Sequence, residues 1–128
     1  MATILLAEDD TSLCTFLKKA LINAGHDVTS FTDGKTALEA LENGRENGKN
    51  FDLLLADIVM PGMDGIELAQ KATTEEPGLK VMFITGFAAV AMSKRNQGVH
   101  QKAENTRVLS KPFHLKELVN QVDQLLAA

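Results

Sequence analysis

Two uninterrupted aliphatic blocks, Ile4-Leu5-Leu6-Ala7 and Leu53-Leu54-Leu55-Ala56, constrain this chain most, and each runs straight into an acid. A strand with one wet face alternates apolar and polar residues, whereas a strand covered on both faces, as in a parallel sheet, reads as a continuous apolar run. Blocks of this length are too short for helices of their own. They predict buried parallel strands, and parallel strands need a crossover connection, usually a helix, between them.

The rest of the chain supplies that alternation. "HDVTSF" (26–31), "KVMFIT" (80–85) and "RVLS" (107–110) read as further strands. After the first strand, Thr11 or Ser12 is expected to cap a helix whose Leu13, Phe16, Leu17, Ala20, Leu21 and Ala24 share one face, with Gly25 as its stop. Asp33-Gly34 reads as a turn, and Ala37, Leu38 and Leu41 as the inner face of a second helix, followed by a solvated loop, "ENGRENGKN". Ile66, Leu68, Ala69 and Ala72 suggest a third helix. Between Gly86 and Thr106 the periodicity weakens, and a short or irregular fourth helix followed by a long loop is expected. Leu115, Leu118, Val119, Val122, Leu125 and Leu126 then form the stripe of a C-terminal helix. Five βα units of this kind make one doubly wound α/β sheet.

Composition narrows the function classes. A chain of 128 residues suits a single domain, expected here over 1–128 with no output domain after the last helix. No apolar run reaches the ~18 to 20 residues that span a bilayer, and the N-terminus lacks the basic region of a signal peptide, so a soluble cytoplasmic protein is expected. The net charge of −4, with 13 scattered basic residues, argues against nucleic-acid binding. Cys14, the only cysteine, reads as a small buried thiol. His26, His100 and His114 have no metal-ligand spacing and are expected on the surface, while Met60, Met63, Met82 and Met92 read as packing residues.

In an open α/β sheet, ligands lie outside the carboxyl ends of the strands. Those tips deliver Glu8, Asp9 and Asp10 from the first strand, Asp57 from the third, Thr85 and Gly86 from the fourth, and Lys111-Pro112 from the fifth. Carboxylates brought together repel by about 4 kcal/mol per pair at ~4 Å and an effective dielectric near 20, so such a cluster calls for a cation or a proton. An all-oxygen site of this type suits Mg²⁺, which binds a few carboxylates and completes its shell with water and phosphate oxygens. A carboxylate can itself accept the phosphoryl group, and Asp57 alone sits at the tip of the central strand. Lys111 would pair with phosphoryl oxygens, Thr85 would donate a hydroxyl, and Gly86 would leave room. The plainer alternatives are that Glu8 to Asp10 only favour a helix N-terminus and that Asp57 only ends a strand before a Pro-Gly turn. Asp64 is expected to hold the turn or cap the third helix.

The fragments "ILLAEDD", "LLLADIVMPGMDG", "VMFITG" and "VLSKPF", in this order and spacing, resemble the receiver domain of two-component response regulators over essentially the whole chain. The resemblance implies a flavodoxin-like sheet of order 2-1-3-4-5 with five helices. It implies Asp57 as phosphoacceptor, Mg²⁺ held by Glu8 (largely through water), Asp9, Asp57 and the backbone carbonyl of Val59, Thr85 as the switch hydroxyl, and Lys111 as the phosphate-pairing cation before a cis Pro112. The expected partner is a histidine kinase or histidine phosphotransfer protein. Receivers often carry an aromatic residue three positions before that lysine; here it is Val108, with Phe87 or Phe113 as possible substitutes. Within the family, "KVMFITGFAAVA" and "VLSKPFHLKELV" resemble a single-domain cell-cycle regulator, which implies control of the ClpXP protease and its substrates while unphosphorylated. The terminal "QLLAA" resembles a tag read by that protease, or is simply a helix end. An aspartyl phosphohydrolase would want a second acid at Val59, a flavodoxin-like carrier would want a Gly-rich loop where three acids stand, and a phosphorylation-independent binding module needs only the fold.

Overall fold

The computed structural model describes residues 2–86 and 105–127. The elements run β1 (Thr3–Ala7), α1 (Thr11–Asn23), β2 (Asp27–Phe31), α2 (Gly34–Glu46), β3 (Leu53–Asp57), α3 (Gly65–Glu75), β4 (Lys80–Thr85), β5 (Thr106–Ser110) and α4 (Leu115–Ala127). The five strands form one parallel sheet in the order β2-β1-β3-β4-β5, as the resemblance implied. Four helices stand among the described residues. The expected helix between β4 and β5, with Phe87, Met92 and His100, lies outside them.

The sheet divides the core into two layers, and the two-residue period of each strand decides which side chain enters which. Leu5, Ala7, Leu54, Ala56, Val81 and Phe83 face α2 and α3, where they meet Ala37, Leu41, Leu68, Ala69 and Ala72. Ile4, Leu6, Leu53, Leu55, Met82, Ile84 and Leu109 face α1 and α4, where they meet Cys14, Leu17, Leu21, Leu118, Val122 and Leu125. All five residues of β3 are buried, which is why that strand shows no polar alternation. Each fully buried Leu in these layers contributes about 1.5–3 kcal/mol by leaving water. Among the described residues, no helix is long and apolar enough to cross a membrane.

Several local expectations are corrected. The cap of α1 is Asp10, not Thr11 or Ser12: its side chain accepts from the Leu13 N–H at 3.0 Å. Phe16 lies on the outer face of α1, 57% exposed, because Cys14, Leu17 and Leu21 form the inner stripe instead. Asp33-Gly34 is the start of α2, where Asp33 accepts from the Thr36 N–H at 2.8 Å. α2 continues through Glu46 into the stretch read as loop, since the returning chain packs on Gly44: its carbonyl accepts from the Lys49 N–H at 2.7 Å, and a Cβ there would meet the Lys49 carbonyl. His26 is not a surface residue; its side chain is 8% exposed and its Nε2 lies 3.1 Å from Asp123 on α4.

Candidate functional site

Four of the strand-tip residues come together at the carboxyl edge of the sheet. Glu8 follows β1, Asp57 ends β3, and the two strands are direct neighbours, pairing Ala7 with Ala56. Among the described residues, carboxylate oxygens of Glu8, Asp9 and Asp57 lie within 4.8 Å of one another. Lys111, just past β5, sets its Nζ 3.4 Å from Asp57 Oδ2 and 3.6 Å from Glu8 Oε1. The Lys111-Pro112 bond is cis.

The turn after β3 holds Asp57 from its other side. The Val59 N–H donates to Asp57 Oδ1 at 3.1 Å. Gly62 takes a positive φ of 74°, Asp64 caps α3 by accepting from the Glu67 N–H at 2.8 Å, and the Gly65 N–H donates to the Ile58 carbonyl at 2.9 Å. Gly65 is required by space, because a Cβ there would overlap the Asp57 carbonyl. The "MPGMDG" segment thus brings the first turn of α3 against the main chain of Asp57 itself.

Glu8 is fully buried, and burial is the main reason its carboxyl is pushed up to about 8; the neighbouring Asp57 carboxylate pushes the same way, against the Asp10 N–H and Lys111. Its Oε1 has no hydrogen-bond partner among the described residues. A buried carboxylate oxygen without a donor, facing two more acids, suits a divalent cation: the residues present fit Mg²⁺ by donor chemistry and by this orphaned oxygen.

The remaining candidates are placed differently. Thr85 is buried at the tip of β4, and its hydroxyl donates to the Gly86 carbonyl at 3.0 Å, so it is turned toward its own chain. Asp10 stands outside the acid group as the cap of α1. Val108 is 42% exposed on β5, whereas Phe113 packs against the α1–α4 core layer. Cys14 is buried in the same layer, and burial raises its thiol above the usual range. Sequence reasoning missed the complete burial of Glu8 and, although it offered the acids as partners of a helix N-terminus, it put the cap at Thr11 or Ser12 and not at Asp10. The signal for the latter was present: an Asp three residues before the first inward apolar residue of a helix is a capping pattern.

This parallel α/β chain has relatives among known proteins. The model for the response regulator receiver domain matches residues 4–123, and the chain belongs to this family of two-component signalling proteins. It is similar to the response regulator receiver protein CpdR of Brucella abortus (strain 2308), with 52% identity over 128 residues, covering 100% of this chain and 99% of that protein. The sensor kinase CckA of the same organism is 35% identical over 125 residues, 98% of this chain but 12% of that protein. Among solved structures, a CheY-like response regulator receiver domain from Methanospirillum hungatei JF-1 superposes with a TM-score of 0.83 at 28% identity, covering 99% of this chain and 94% of that one. The receiver domain of the hybrid histidine kinase CckA does so with a TM-score of 0.75 at 31% identity, covering 97% and 98%.

Proposed function

We propose that Asp57 accepts a phosphoryl group from a histidine kinase or histidine phosphotransfer protein, with Mg²⁺ as cofactor. One observation carries this reading: the Lys111 ammonium, 3.4 Å from Asp57 and 3.6 Å from Glu8, beside three carboxylates whose oxygens lie within 4.8 Å of one another. Glu8, Asp9, Asp57 and the Val59 carbonyl would hold the cation, whose charge offsets that of the phosphoryl oxygens. The Val59 N–H fixes Asp57 Oδ1, leaving Oδ2 as the oxygen that faces Lys111. In the transfer an Asp57 oxygen bonds to phosphorus as the P–N bond of the donor phosphohistidine breaks, and the imidazole leaves with that electron pair. Lys111 pairs with the phosphoryl oxygens as they arrive. Thr85 is the switch hydroxyl, which leaves the Gly86 carbonyl to donate to the phosphorylated Asp57.

The chain acts as one receiver domain in the cytoplasm, catalyses at most its own phosphorylation and dephosphorylation, and signals by protein contact. The likeness to CpdR supports a cell-cycle role in ClpXP-dependent proteolysis, exerted while Asp57 is unphosphorylated. Incubation with acetyl phosphate and Mg²⁺ should add the mass of one phosphoryl group to the wild type and none to Asp57→Asn. Absence of any gain in the wild type would instead favour a phosphorylation-independent binding module. For the proteolysis role, immobilised ClpXP should retain the unphosphorylated protein and release the phosphorylated one; equal retention of both contradicts it.

A further inference from the structure

An N-cap residue leaves its own main-chain N–H outside the helix, and in a capping box a Glu or Gln three residues later reaches back to accept it. In α1 that position is Leu13, which has no acceptor. The Asp10 N–H donates instead to Glu8 Oε2 at 3.2 Å, so a strand-tip carboxylate stands where the helical one would. Asp10 is itself held by the helix: its Oδ1 accepts from the Leu13 N–H at 3.0 Å and its carbonyl from the Cys14 N–H at 2.8 Å. With Oε2 engaged, the other oxygen of the fully buried Glu8 has no hydrogen-bond donor among the described residues and lies 3.6 Å from Lys111 Nζ.

We propose that Asp10 is a positioning residue for the cation site: its cap on α1 fixes the N–H that orients Glu8, and so turns Glu8 Oε1 toward Asp57 and Lys111. This rests on the Mg²⁺ reading above. It makes the first turn of α1 part of the site without any Asp10 side-chain contact to the ion.

Calorimetric titration of Mg²⁺ into four proteins tests it: wild type, Asp10→Ala, Asp10→Asn and Asp33→Ala. Asp10→Ala should weaken Mg²⁺ binding by on the order of 10-fold, the scale seen when a group orienting a metal ligand is removed. Asp10→Asn keeps a capping oxygen while losing the charge, so it should bind Mg²⁺ close to wild type. Asp33→Ala removes the equivalent cap from α2, where Thr36 is the partner, and should leave Mg²⁺ affinity unchanged. Wild-type affinity in Asp10→Ala overturns the proposal. So does equal weakening in Asp10→Asn, which would assign the effect to charge, or in Asp33→Ala, which would assign it to general loosening. A wild type that binds no Mg²⁺ overturns the underlying site reading as well, whereas a binding wild type with an unaffected Asp10→Ala overturns only the positioning role. In the metal-free protein, the residue-10 amide should exchange with solvent faster in Asp10→Ala than in wild type or Asp10→Asn; equal rates contradict the link to Glu8.

Discussion

The two ends of the sheet both carry charged side chains, arranged in opposite ways. Where the strands begin, Asp52 accepts the Thr3 N–H at 2.8 Å, His26 joins the Ala2 N–H at 3.2 Å to Asp123 at 3.1 Å, and Lys80 donates to the Leu125 carbonyl at 2.7 Å. Each group there tethers one element to another. Where the strands end, three carboxylates crowd within 4.8 Å, Lys111 serves two of them, and a buried Glu8 oxygen has no donor among the described residues. The first end is built to hold the fold; the second spends stability on concentrated charge, which is the mark of a site that expects a ligand.

The sharpest way to break this contrast is to remove one lysine from each end. Lys111→Ala should slow phosphoryl uptake from acetyl phosphate by on the order of 10²-fold, as loss of a transition-state charge partner does, or about 2.7 kcal/mol. The rate of mass gain measures it; an undiminished rate would remove Lys111 from the chemistry. Gly65→Ala drives a Cβ into the Asp57 carbonyl and should cost about 2 kcal/mol, the scale of overpacking, in urea unfolding. Gly25→Ala, where a Cβ meets nothing, tests only the positive φ of 98°. If Gly65→Ala unfolds at the wild-type midpoint, the contact between α3 and Asp57 is looser than described.

The electrostatic strain can be read from pH. Burial pushes the Glu8 carboxyl up from the ordinary 4.5 to about 8, so between those values the folded, metal-free protein holds a proton that the unfolded chain gives up. Stability should therefore fall as pH rises through that window. Glu8→Gln cannot ionise and should flatten the profile; an equally steep decline in Glu8→Gln would place the strain elsewhere. The smallest effect belongs to the other end: Lys80→Ala loses its hydrogen bond to the Leu125 carbonyl and should cost about 1 kcal/mol while leaving phosphoryl uptake unchanged. Slowed uptake in this variant would erase the division of labour between the two ends.

The aliphatic blocks were enough to read β1 and β3, because a strand covered on both faces of a sheet must be apolar at nearly every position. Asp57 was legible as a candidate for the same reason, as a polar residue at the tip of such a strand, whereas Lys111 follows β5, where only Leu109 is buried. What escaped depended on contacts distant in sequence. Gly44 reads as a loop residue until the Lys49 carbonyl is seen against it, and His26 as a surface residue until α4 brings Asp123 within reach. Phe16 was assigned inward because an aromatic residue at helical spacing fits a core stripe; Cys14, one position away from the expected face, takes the place instead. Asp10 belongs to an acidic run whose three members look alike in sequence, and only its contact to the Leu13 N–H singles it out as the cap.

On the proposed reading, the crowded carboxyl end makes Asp57 the phosphoacceptor. Borohydride reduces an aspartyl phosphate to homoserine, so treatment after acetyl phosphate and Mg²⁺, followed by peptide mass mapping, marks the modified residue. The account predicts homoserine at position 57 in Mg²⁺-containing samples and none when Mg²⁺ is chelated. Homoserine at Asp9 or Asp10, or none at position 57 with Mg²⁺ present, would contradict it.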